Sequence, residues 1–191
     1  MNCRKIILPA IVCASFLLAG WHSWMPSNNM KSQLSTLDQL QTEISKISLM
    51  DSGTEFTLTL TDTDITNAAN EALKQYQTEV EQMIKNYAGI GIKVSDPKIV
   101  FTENNFSLSV KAGVSFIKVN ASAAGTISAQ NGIPVVTFSA IDTPIGSVPV
   151  EQANSFVQTE IGESTGIITA ICSYSDIQIH EGQIVITGKK K

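Results

Sequence analysis

From about Thr63 to Tyr87, apolar side chains return at helical spacing: Ile65, Ala69, Leu73, Tyr76, Val80, Met83, Ile84 and Tyr87 form one stripe. Thr61, Asp62, Thr63 and Asp64 supply capping oxygens and negative charge at its start, and Gly89 stops it. On either side the period changes to two. Phe56, Leu58 and Leu60 alternate with threonines in a strand that runs directly into the helix. After the helix, Ile90, Ile92 and Val94 alternate, Asp96-Pro97 bends the strand, and residues 99–101 resume it before a turn at Glu103-Asn104-Asn105. Phe106, Leu108, Val110 and Ala112 share the next strand's apolar face. The longest strand runs from about Ser115 to Ala129, with Ile117, Val119, Ala121, Ala123, Gly125 and Ile127 on one side. Asn131-Gly132 is a hairpin turn into residues 133–141. A short helix follows Pro149, from Val150 to about Ile161, and a hairpin turning at His180-Glu181-Gly182 ends the pattern.

A helix with one apolar stripe must bury it, and the strands offer the large surface that can receive it. The expected fold is α+β: a strongly curved antiparallel sheet wrapped around one long helix, with a short second helix, behind an N-terminal membrane segment. Such a gutter, if incompletely filled, holds an acyl chain. Ala121, Ala123 and Gly125 follow one another where a tight core would place Val, Ile or Leu. Small side chains there either let the helix approach closely or leave a channel lined by aliphatics.

The N-terminus is built for export. Arg4 and Lys5 precede an apolar run from Ile6 to Leu18, and Trp21 and Trp24 suit a membrane interface. Leu18 fits poorly before a cut at Gly20, so an uncleaved anchor is preferred to a cleaved signal peptide. Trp21 stands where a lipoprotein would carry its cysteine. Residues 1–24 are therefore signal or anchor. Residues 25–50 are a helical spacer with Leu34, Leu37, Leu40, Ile44 and Ile47 in helical register, and 51–191 are the domain. The domain is expected to lie outside the cytoplasmic membrane, anchored there or secreted after cleavage.

The formal net charge is −4, and no basic stripe fits a phosphate backbone, so nucleic acid is not an expected partner. Cys3 and Cys13 fall in the N-terminal segment, which leaves Cys172 alone in the body without a disulfide framework or metal spacing. Asp62, Asp64 and Asn67 enter a helix at once, so they read as caps and not as a calcium loop. Gly162-Glu163-Ser164-Thr165-Gly166, with Asp176 and His180 after it, matches a hydrolase nucleophile pattern literally. That elbow needs a strand before the serine, whereas here a helix precedes it. No cofactor and no metal is expected.

The order of membrane segment, spacer, strand, long helix opening on Thr-Asp-Thr-Asp-Ile, meander, Pro-flanked short helix and Gly-turn hairpin resembles the single-module bacterial members of the tubular lipid-binding superfamily. The matching stretches are 56–70, 99–110, 141–156 and 177–188. The resemblance implies an exported or membrane-anchored protein with a cavity for phospholipid or another acyl lipid, and no catalytic residues. Its channel would be lined by Ile65, Ala69, Leu73, Tyr76 and Val80 from the helix, and by Ile117, Val119, Ala121, Ala123, Gly125 and Ile127 from the long strand. The alternatives are a non-catalytic structural or assembly partner in an envelope complex and, more remotely, a small serine hydrolase.

Overall fold

The structure is a computed structural model, and it describes residues 36–88, 91–114, 117–142, 149–155, 157–159 and 172–191. The N-terminal segment, the first part of the spacer and the Gly162–Gly166 motif lie outside the described residues. Helix α1 is Thr36–Ser48, strand β1 is Glu55–Thr61, and helices α2 and α3 are Asp62–Gln75 and Gln77–Ala88. Strands β2 to β5 are Lys93–Thr102, Asn105–Val114, Ile117–Gln130 and Ile133–Asp142. Helix α4 covers residues 150–155 and 157–159, and β6 (Cys172–His180) and β7 (Gln183–Lys190) close the order.

The expectation of one strongly curved sheet wrapped around one helix is overturned. The strands form two open, separate sheets, neither of them strongly curved. One has three strands in the order β1-β7-β6, and the other is a four-stranded meander, β2-β3-β4-β5. Every pairing is antiparallel. The terminal hairpin joins β1 instead of extending the meander, and β7 is the central strand of that sheet, paired with β6 on one side and β1 on the other.

The long helix is also corrected, to a kinked pair. Tyr76 leaves helical geometry at φ −109°, ψ 21°. The i→i−4 bonds continue around it, Tyr76 N–H to the Ala72 carbonyl at 2.9 Å and Val80 N–H to the Tyr76 carbonyl at 3.0 Å. The start matches its sequence signal. Thr61 caps α2: its hydroxyl accepts from the Asp64 N–H at 3.1 Å, and the Asp64 carboxylate accepts from the Thr61 N–H at 3.2 Å.

Strand β6 runs across the other sheet. It meets all four strands of the meander. At one point the Tyr174 N–H donates to the Gly132 carbonyl in the β4–β5 turn (3.1 Å), and at another the Ile179 carbonyl accepts from Asn104 in the β2–β3 turn (2.9 Å). The two points are about 16 Å apart along an extended strand, enough to cross from one hairpin end to the next. Both turns need left-handed backbone, supplied by Asn104 at φ 62°, Asn131 at φ 55° and Gly132 at φ 79°.

Between the sheets lies one apolar core. The meander contributes Val94, Ile99, Phe101, Phe106, Leu108, Val110, Ala121, Ala123, Val136 and Phe138, and the smaller sheet Leu60, Ile177, Ile179 and Ile184. Ala69, Val80, Ala153 and Val157 enter from α2, α3 and α4. Phe106 and Phe138 meet edge to face at 5.8 Å. Burying a side chain of this size contributes about 1.5–3 kcal/mol, so the alternation along these strands decides which face turns inward.

Candidate functional site

The two edges of the meander are closed by helices in the same way. On β2, the Thr66 hydroxyl accepts from the Ile99 N–H at 2.9 Å and donates to the Ile99 carbonyl at 3.1 Å. One turn further along α2, the Asn70 amide donates to the Pro97 carbonyl at 2.9 Å. On β5, the Asn154 side chain accepts from the Phe138 N–H at 2.7 Å and donates to the Phe138 carbonyl at 3.0 Å. One turn along α4, Gln158 donates to the Val136 carbonyl at 3.1 Å. Each helix thus presents an i, i+4 polar pair to an edge that would otherwise offer unpaired backbone. These four side chains escaped the sequence reading. Their signal is a polar pair one turn apart at the margin of an apolar stripe.

With its edges fixed, the meander meets α2 and α3 along β2, α4 along β5, and β6 across β4. Of the residues expected to line a channel, Ala69, Val80, Ala121 and Ala123 are buried in the core, and Ile65, Leu73, Tyr76 and Ile127 pack against it half-buried. Val119 is half-buried on β4. Ile117 opens that strand, and its side chain lies outside the described residues. Gly125 has a different setting. The register shifts by one residue between Ala124 and Gly125, and a Cβ on Gly125 would stand 2.2 Å from the Thr137 carbonyl oxygen. Glycine there permits a bulge and close backbone approach.

The margin of the core is apolar as well. Leu58, Ala129, Ile141, Val150 and Ile186 are half-buried against it. Tyr76 also packs at this margin, and its hydroxyl is held above its ordinary range first by burial and then by Glu79.

Among the described residues, groups that could support hydrolysis are not assembled. Asp176 and His180 lie four residues apart on one strand, about 13 Å along an extended backbone. Nδ1 of His180 is 3.5 Å from Glu103, and Asp176 accepts from Gln178 at 2.6 Å. Ser164 lies outside the described residues. Among the described residues no group of three or more His, Cys, Asp or Glu could hold a metal ion, and no helix is long and apolar enough to cross a membrane.

No protein-family model matches the sequence, and no curated protein does. Among solved structures, the crystal structure of lipopolysaccharide binding protein aligns weakly and in part. The match has 14% identity and a TM-score of 0.35 over 74% of this chain and 51% of that one. The chain thus spans about half the length of that protein, and the functional reading rests on the geometry of the site itself.

Proposed function

We propose that this chain is a non-catalytic lipid-binding protein acting outside the cytoplasmic membrane and held there by its N-terminal segment. An acyl chain would lie between the kinked α2–α3 pair and the inner face of β4, against Leu73, Tyr76, Val80, Ala121 and Ala123. The observation that carries this reading is the composition of that region. Among the described residues every side chain of the core is apolar, small residues stand at the centre of β4, and the margin of half-buried Ile65, Leu73, Tyr76 and Ile127 leaves apolar surface for a ligand to cover. An assembly partner docking by strand addition has less support, because both edges of the meander are already bonded by Thr66, Asn70, Asn154 and Gln158.

Ala123→Phe tests the reading. Filling a channel with the ring should displace lipid that copurifies with the full chain, as read by mass spectrometry of the extract, and should leave the melting temperature nearly unchanged. In a filled core the same change costs about 1–3 kcal/mol. A strongly destabilised variant, from a parent that purifies without lipid, would make the region a packed structural core.

A further inference from the structure

The outer face of the meander carries chemistry that an acyl site does not use. In β2 two residues, Asp96 and Pro97, stand opposite the single Val110, because the register shifts between Ser95 and Lys98. Asp96 takes left-handed backbone at φ 53° in this bulge. The bulge, β3, β4 and the flank of α2 border an open cleft of about 500 Å³, within the size range of small-ligand sites. Lys98, Lys111, Ser109 and Asn120 line it. Lys118 is close enough to lower the Asp96 carboxyl together with Lys111. The lining of the cleft therefore has two cations, Lys98 and Lys111, to one carboxylate, on a chain whose net charge is negative.

We propose that this cleft binds a phosphate ester, with the ammonium groups of Lys98 and Lys111 as its charged contacts and Ser109 and Asn120 as neutral donors. Lys111 already holds an anion, the Asp96 carboxylate at 2.8 Å, and both residues line the cleft. Both partners of that pair are at least half exposed, at 50% and 60%. Such pairs are worth little, so a phosphate can share or replace the carboxylate at small cost. Charge-assisted bonds from two lysines to one phosphate are the strong class of hydrogen bond. The phosphate has two possible sources, a free ester or the headgroup of an anionic lipid. Only the second rests on the lipid-binding reading given above.

Amine acetylation of the full chain in neutral detergent, read residue by residue by mass spectrometry, tests the site. Glycerol 1-phosphate is one probe, and vesicles of phosphatidylcholine with or without phosphatidylglycerol are the other. Lys98 and Lys111 should be protected, while Lys74 and Lys85 on α2 and α3 should label as before. Protection by glycerol phosphate alone assigns a free ester. Protection by the phosphatidylglycerol vesicles alone assigns a headgroup. Lys111→Ala should weaken binding by about tenfold, the loss of one charged contact. Absence of protection with both probes, equal protection at Lys74, or an unchanged affinity in Lys111→Ala would overturn the proposal. A chain that purifies without acyl lipid yet shows this protection would remove the acyl reading and leave the phosphate site standing.

Discussion

Single residues decide how closely the smaller sheet can pack. Gly188 pairs with Phe56 on one side and with Tyr174 on the other, and those two rings meet edge to face at 6.5 Å. A Cβ at Gly188 would stand 2.6 Å from the Phe56 ring and 2.7 Å from the Ser173 carbonyl oxygen. Gly188→Ala should therefore lower stability by about 1–3 kcal/mol in a denaturant titration, as overpacking does. Near the same pair lies Cys172, a buried thiol raised above its ordinary 9.0 chiefly by desolvation, and burial pushes the neighbouring Tyr174 hydroxyl up as well. Because the folded value exceeds the unfolded one, the thiol's contribution is complete below about pH 9 and is lost as the pH rises through the folded value. Titrations at pH 7 and pH 10 should show a shallower alkaline loss in Cys172→Ala than in the parent. Asp96 works in the opposite direction. Its carboxyl is lowered by the Lys111 hydrogen bond and charge, so what it adds is present above the ordinary 3.8 and disappears as the pH falls through the folded value.

At the scale of elements, the helices act as edge strands made of side chains. Thr66→Val keeps the shape of the residue but leaves the Ile99 N–H and carbonyl without their hydroxyl partner, a loss of about 1–3 kcal/mol. Asn154→Ala should cost a similar amount at β5. The two edges are about three strand spacings apart, roughly 14 Å, so the double variant should be additive within about 0.5 kcal/mol. A coupling well above that would mean that the helices move as one unit. Much at this scale was legible in the sequence. Alternation found the strands, Asn131-Gly132 and the Asn104 turn fixed their hairpins, and Thr61 with Asp64 marked the helix start. The kink at Tyr76 was not, because neither proline nor glycine stands there to signal it. Gly125 read as one more small side chain on an inner face, and only the register against β5 reveals a bulge. The cleft was hidden for a related reason. Lys98 and Lys111 stand on different strands, and they line one cleft only when those strands pair.

At the scale of the whole molecule, alternation shows that a strand exists but not which distant strand it will join. That is why one wrapped sheet was expected where two stand. The export reading has its own check: with Arg4 and Lys5 inside, a reporter fused after Lys191 should be active only outside the cytoplasm, and cytoplasmic activity would reverse the topology. The pairing of β1 with β7 bears on how such a chain is made. Thr61 lies opposite Gln183, and Glu55 opposite Lys189, so each waits for a partner more than half the chain away. During synthesis β1 emerges early and finds nothing to pair with, and the smaller sheet cannot form until β7 arrives. Contacts of such long range slow folding. On the export reading, the chain would gain from that delay, because it would stay unfolded while it was being passed across a membrane. Ending the chain at Gly182 should preserve this early state: β1 should then be cut rapidly by a protease that spares it in the full chain. Equal resistance in both would show that β1 finds its place without β7.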